Sequence, residues 1–220
     1  MACEDDAILV AMLQDRGDEQ ETLRISSRGT SLHLELRNAT GPVHRRLEAA
    51  LDLQSRELSL ERYRRVLAAF HGFYAPLEAR FRRFGPVTPP LGFALPQRAR
   101  LLALDLVALG AQAADSHCDD LPEIATTAEL AGRLYVLEGA ALGGQVLART
   151  VARRWQLTPG TGAAFFFGDG PAATRRRWAL VLDWLERVAC SGAGAGEAVA
   201  AATATFVALE HWVAAQGATR

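Results

Sequence analysis

From Leu32 onward the apolar residues recur at intervals of three and four, the spacing that keeps them on one face of an α-helix. The clearest stretch is 59–84. There Leu60, Tyr63, Leu67, Phe70, Tyr74, Leu77, Phe81 and Phe84 make a continuous apolar stripe, and the arginines fall on the other faces. Ser59 is the expected N-cap, and Pro76, which has no N–H to give, predicts a kink. Four prolines make 85–96 a loop. A compact buried helix is expected over 101–109, ended by Gly110, and a polar loop over 115–122. Thr126 or Thr127 caps the next helix, which runs to about Trp155. Residues 159–162 break the chain, Phe165 to Phe167 form an aromatic anchor, and Pro171 opens a helix to about Ala189. After a turn over 191–196, an alanine-rich helix spans 197–215. No strand-period segment of useful length competes, so the fold class is all-α, a single-domain helical bundle over 32–220. Residues 1–31 are polar and acidic by contrast, and read as a flexible N-terminal tail.

Composition narrows the function. The chain has 220 residues, half of them hydrophobic, which is enough to bury a core without disulfides or a structural metal. A net charge of −1 argues against a nucleic-acid binder. All 24 basic residues are arginine, which removes pyridoxal Schiff bases and the P-loop lysine. No G-x-S-x-G elbow occurs. Cys3, Cys118 and Cys190 are odd in number and far apart, so a disulfide framework or zinc finger is not expected and a cytoplasmic setting is. The early apolar run 7–13 is too short to span a bilayer and follows Glu4, Asp5 and Asp6, so neither a membrane nor an export segment is expected.

Three stretches carry candidate chemistry. His44 and Glu48 are four apart, so they share a helix face and the carboxylate can reach the imidazole Nδ1, leaving Nε2 for a metal. One histidine does not build a tetrahedral zinc site, but it suits haem iron, where the porphyrin supplies four ligands. An ordinary i,i+4 pair explains the same spacing. Along the helix that carries 132–147, Leu130, Leu134, Leu137 and Ala141 line one face, and Gly132, Tyr135, Gly139 and Gly143 the other, with Gly144 alongside. Each interior glycine costs a helix about 1 kcal/mol relative to alanine, so a bare backbone face needs a reason. Either a flat ligand or a closely packed helix supplies one. Arg175, Arg176 and Arg177 could anchor carboxylates, form a solvated face or dock an acidic partner. His71 and His211 read as packing residues, and His117 with its neighbouring aspartates lacks regular ligand geometry.

Taken together, L-R-x-A-T-x-x-x-H-x-x-L-E at 36–48, Y-V-L-E-G-x-x-L-G-G-Q at 135–145 and F-F-x-G near Phe166 resemble the haem oxygenase family, most closely the bacterial branch found with bacteriophytochromes. The weaker A-F-H-x-F-Y-x-P-L-E at 69–78 and the aromatic helix around Phe206 and Trp212 agree, so the resemblance covers about 36–212. It implies a helical fold that sandwiches haem between a proximal helix and a kinked distal helix. Haem is then both substrate and cofactor. It is opened to biliverdin (expected IXα), carbon monoxide and ferrous iron, with electrons from a reductase or ferredoxin-type donor and a bacteriophytochrome as consumer of the product. By the same resemblance His44 is the axial ligand with Glu48 behind it, and Gly139, Gly143 and Gly144 lie over the distal face. Arg37, Arg177 and Tyr135 meet the propionates.

Two departures stand out. Many relatives carry a carboxylate after the first distal glycine to order the water that protonates bound oxygen, and here that position is Ala140. This keeps open a haem-carrying protein of the same fold that does not turn over. A thiaminase-like enzyme would need Cys118 or Cys190 as nucleophile, and neither has a recognisable setting. Second, Pro42 lies two residues before His44, so the proximal helix is expected to kink or restart there. Gly41 would then be the cap and His44 a first-turn residue.

Overall fold

The computed structural model describes residues 31–84, 97–113, 116–190 and 194–220. The expected tail, apart from Ser31, and the 85–96 loop fall outside these. The helices in chain order are α1 Leu32–Leu51, α2 Leu60–Arg83, α3 Arg98–Ala108, α4 Thr127–Trp155, α5 Ala164–Phe167, α6 Pro171–Cys190 and α7 Ala195–Ala215. No strand occurs among the described residues. α4 lies at the centre, with α6 and α7 packed along it; α1 packs on α7, and α3 on α2.

Local chemistry accounts for the helix ends. The Ser59 hydroxyl accepts the N–H of Arg62 and starts α2. Thr126 and Glu129 form a reciprocal capping box at the start of α4, each side chain taking the other's backbone N–H. α2 continues through Pro76. The proline frees the carbonyl of Gly72, and the N–H of Cys118 takes it at 2.9 Å. Gly72 has no side chain in the way of this approach: a Cβ would lie 2.7 Å from the Trp212 ring and 2.8 Å from the Ser116 carbonyl.

The expectation for Pro42 is corrected. α1 begins at Leu32 and runs unbroken through Gly41 and Pro42, so His44 lies past the middle of a 20-residue helix, not in a first turn. The carbonyl that Pro42 leaves without a donor belongs to Asn38, which is exposed and open to water. Leu36, Val43, Leu47 and Leu51 meanwhile bury one stripe on both sides of the proline, which holds the two halves in one helix.

α7 is long and apolar enough by composition to cross a bilayer, yet it is packed within the bundle on Ala198, Ala201, Ala202, Thr205, Phe206, Leu209 and Val213. Its apolarity is largely alanine, which lets neighbours come close. Gly132 of α4 takes advantage of this: a Cβ there would meet the Ala198 carbonyl oxygen at 2.0 Å. The glycine is therefore required by helix packing.

Candidate functional site

A cavity of about 430 Å³ opens between α1 and α4, with α2, α5 and α7 completing its walls. That lies within the roughly 300–1,000 Å³ of small-molecule and cofactor sites. His44, Leu47, Glu48 and Leu51 face it from α1. Val136, Leu137, Ala140, Gly143, Gly144 and Leu147 face it from α4.

His44 is oriented from two sides. Its Nδ1 lies 3.4 Å from Glu48 Oε2, and its ring stands edge-on to Phe206 with centroids 5.3 Å apart. Burial, then the charge of Arg45, hold the imidazole below its ordinary pKa. It is therefore neutral at pH 7, the form that binds a metal. Burial pushes the Glu48 carboxyl up to about 7, opposed by Arg45. Glu48 Oε1 is buried with no hydrogen-bond partner among the described residues. The donor set is thus one neutral imidazole with Nδ1 held and Nε2 available, in an otherwise apolar slot. That fits a flat macrocycle carrying its own four nitrogens and needing one axial ligand. No group of three or more His, Cys, Asp or Glu suited to a metal ion occurs among the described residues.

Of the site residues expected from the sequence, the cavity brings His44, Glu48, Gly143 and Gly144 together, but not Gly139, Arg37, Tyr135 or Arg177. Gly139 is buried in α4 off the cavity wall. Gly144 does not need to be glycine for lack of room, since a Cβ would stand 3.5 Å from the Phe166 carbonyl oxygen, an ordinary contact. Arg37 is exposed, and within electrostatic reach of it Tyr135 packs against His33 and Trp178, with centroids 6.0 and 5.5 Å away. Arg177 points to a second cavity of about 240 Å³ behind α4. Its guanidinium is 2.7 Å from Glu138, which Arg98 meets at 3.3 Å on the other oxygen.

Two residues at the site, Arg45 and Asp105, had no signal of their own in the sequence. Arg45, the arginine among the described residues lining the 430 Å³ cavity, follows His44 directly. Asp105 of α3 accepts the N–H groups of Ala164 and Phe165 at 2.6 and 2.8 Å, which fixes α5 and the two rings, Phe165 and Phe166, that it presents to the cavity. Phe206 and Tyr74 reach the site from α7 and α2.

A family model described as heme oxygenase matches residues 30–215 of the chain. The chain is also similar to the heme oxygenase of Xanthomonas campestris pv. campestris (strain 8004). The two are 30% identical over 163 residues, covering 72% of this chain and 93% of that protein.

Proposed function

The chain belongs to the haem oxygenase family, and from that membership we propose that it binds haem in the α1–α4 cavity and opens it to biliverdin IXα, carbon monoxide and ferrous iron. The observation that carries this reading is the neutral His44, tied at Nδ1 to Glu48 and facing a stretch of α4 with only small side chains at Ala140, Gly143 and Gly144. Haem is the substrate, and its iron supplies the oxygen-activating chemistry when bound.

The residues of the chain do the rest. His44 offers Nε2 as axial ligand, and Glu48 fixes its tautomer and ring direction. Phe206 packs edge-on against the imidazole and limits its rotation. Gly143 and Ala140 leave the α4 backbone bare, so that a flat ring and a small diatomic can lie against it. Arg45 anchors the propionates, since it is the arginine among the described residues lining the cavity while Arg37, Tyr135 and Arg177 are not among them. Electrons come from a reductase or ferredoxin-type donor, in a cytoplasmic setting, and a bacteriophytochrome takes the product.

Ala140 favours a second reading, a haem carrier of the same fold. The two separate when hemin is added to the protein, a histidine-ligated Soret band is sought, and reductant and oxygen follow. Loss of the band with release of biliverdin supports the enzyme. A persistent band supports the carrier, and no band at all sinks both.

A further inference from the structure

The second cavity, behind α4, plays no part in the haem reading. It holds about 240 Å³, less than the roughly 300–1,000 Å³ of pockets for drug-sized ligands and cofactors, so its occupant is compact. Its charge is one-sided. Three guanidiniums, those of Arg98, Arg100 and Arg177, line it against the two carboxylates of Glu138 and Asp169. We propose that this recess is a binding site for a small oxyanion, a carboxylate or a phosphate group, seated among Arg98, Arg100 and the start of α6.

The polar groups of the wall divide into those that are engaged and those that are not. Gln145 Nε2 donates to the carbonyls of Phe166 and Phe167 at 3.3 and 3.1 Å and to the Thr174 hydroxyl at 3.4 Å. That hydroxyl donates in turn to the Gly170 carbonyl at 2.9 Å. Both oxygens of the buried Glu138 are taken. Oε1 accepts Arg177 Nη2 at 2.7 Å, and Oε2 accepts Arg177 Nε and Arg98 Nη2, each at 3.3 Å. The Nε of Arg98 is left over. It is buried with no hydrogen-bond partner among the described residues, on a residue only 8% exposed. A buried charged donor without an acceptor is among the costlier defects in a fold, and an anion in the recess removes it.

Arg100 supplies the second cation. It lines the same recess, is exposed, and makes no ion pair among the described residues. Carboxylates and phosphates accept N–H groups from guanidiniums in short, charge-assisted hydrogen bonds, so the two arginines fit either group. Helix ends add to the same field. α6 begins at Pro171, and Gly168, Asp169 and Thr174 around that start line the recess, which brings the positive end of its dipole to the site. α3 begins at the recess as well, but Glu78 accepts the backbone N–H of Arg98 at 2.5 Å and of Ala99 at 3.3 Å, so that end is met from within the fold. The unmet demand for negative charge therefore lies with Arg98, Arg100 and α6.

The test is made on the full chain without haem, so its outcome does not depend on the haem reading. Sodium malonate and sodium phosphate are each titrated by calorimetry at an ionic strength held constant with sodium chloride. At least one should bind saturably at a single site, and the tighter of the two names the class, planar carboxylate or tetrahedral phosphate. Arg100→Gln, a change at an exposed side chain, should weaken that binding about 10–100-fold, the worth of a hydrogen bond from a charged donor. Ala141→Leu keeps every arginine and fills the recess from α4, so it should abolish binding. Arg45→Gln, on the wall of the other cavity, should leave the affinity within about twofold of wild type. No saturable binding of either anion overturns the proposal, as do Arg100→Gln and Ala141→Leu variants that bind like wild type. Binding that is lost in Arg45→Gln alone would place the anion in the haem-sized cavity and overturn it as well.

Discussion

The Nδ1 of His44 and the Oε2 of Glu48 are 3.4 Å apart on one face of α1, and the second oxygen of the carboxylate is buried without a partner among the described residues. One helical turn therefore joins a histidine whose pKa is lowered to a glutamate whose pKa is raised. Their contributions to stability run in opposite directions with pH. The folded chain holds a proton on Glu48 between its unfolded value of 4.5 and about 7 that the unfolded chain does not, so stability from this group falls as pH rises through that window. Neutral His44 contributes stability above its unfolded value of 6.5 and loses it as pH falls below. In the haem-free protein, Glu48→Gln should melt higher than wild type at pH 8, with the gap closing toward pH 5. Melting curves across that range check it, and a gap independent of pH would show that Glu48 is not held near 7.

The axial assignment predicts a sharp division among the histidines. His44→Ala should abolish the imidazole-ligated haem spectrum, while His33→Ala, His71→Ala, His117→Ala and His211→Ala keep it. Glu48→Gln should retain ligation but weaken haem affinity about 10–100-fold, because it acts only through the imidazole it orients. Titration with hemin followed at the Soret maximum measures both. An unchanged His44→Ala spectrum would refute the ligand.

How far the sequence could be read depended on the range of the interactions. The 59–84 stripe and the Thr126–Glu129 cap are local patterns, and both stand in the structure close to where they are expected. Pro42 was misleading because a proline inside a helix, which costs about 3 kcal/mol, is offset here by a buried stripe on either side of it. That offset depends on what α1 packs against. Asp105 grips α5 across a long sequence separation, and Phe206 meets His44 from the last helix. Neither contact has a local pattern that would announce it. Arg177 carried a real signal, a basic run at a helix start, but its partner Glu138 sits inside the very motif that drew attention to the glycines.

The glycines of α4 separate into two kinds, and substitution should tell them apart. Gly132→Ala drives a Cβ into the Ala198 carbonyl and should lower the melting temperature of the haem-free protein, at a cost of about 1–3 kcal/mol or more. Gly144→Ala has room beside Phe166 and gains helix propensity, so it should leave that melting temperature equal or raised. Gly143→Leu places a side chain in the cavity and should remove haem binding while the far-ultraviolet dichroism of the haem-free protein persists. If all three variants lost stability alike and none lost haem selectively, the α4 glycines would serve packing throughout.

The last prediction concerns which guanidinium seats the ring. Propionates pinned by charge-assisted hydrogen bonds stop the macrocycle from turning in its plane, and that decides which edge is opened. Arg45 lines the cavity, whereas Arg177 lies behind α4 with Glu138, which is 1% exposed and bridged to Arg98 as well. Removing one partner of such a buried pair leaves an uncompensated charge and typically costs about 3–5 kcal/mol. Glu138→Gln should therefore destabilise the haem-free fold, and Arg177→Gln should do so less, since Arg98 still faces the carboxylate. In a double-mutant cycle the two changes should be strongly non-additive. Product chromatography should then give a single biliverdin isomer from wild type and from Arg177→Gln, and a mixture from Arg45→Gln. Mixed isomers from Arg177→Gln with a single isomer from Arg45→Gln would reverse the assignment and return the propionates to the α6 arginine.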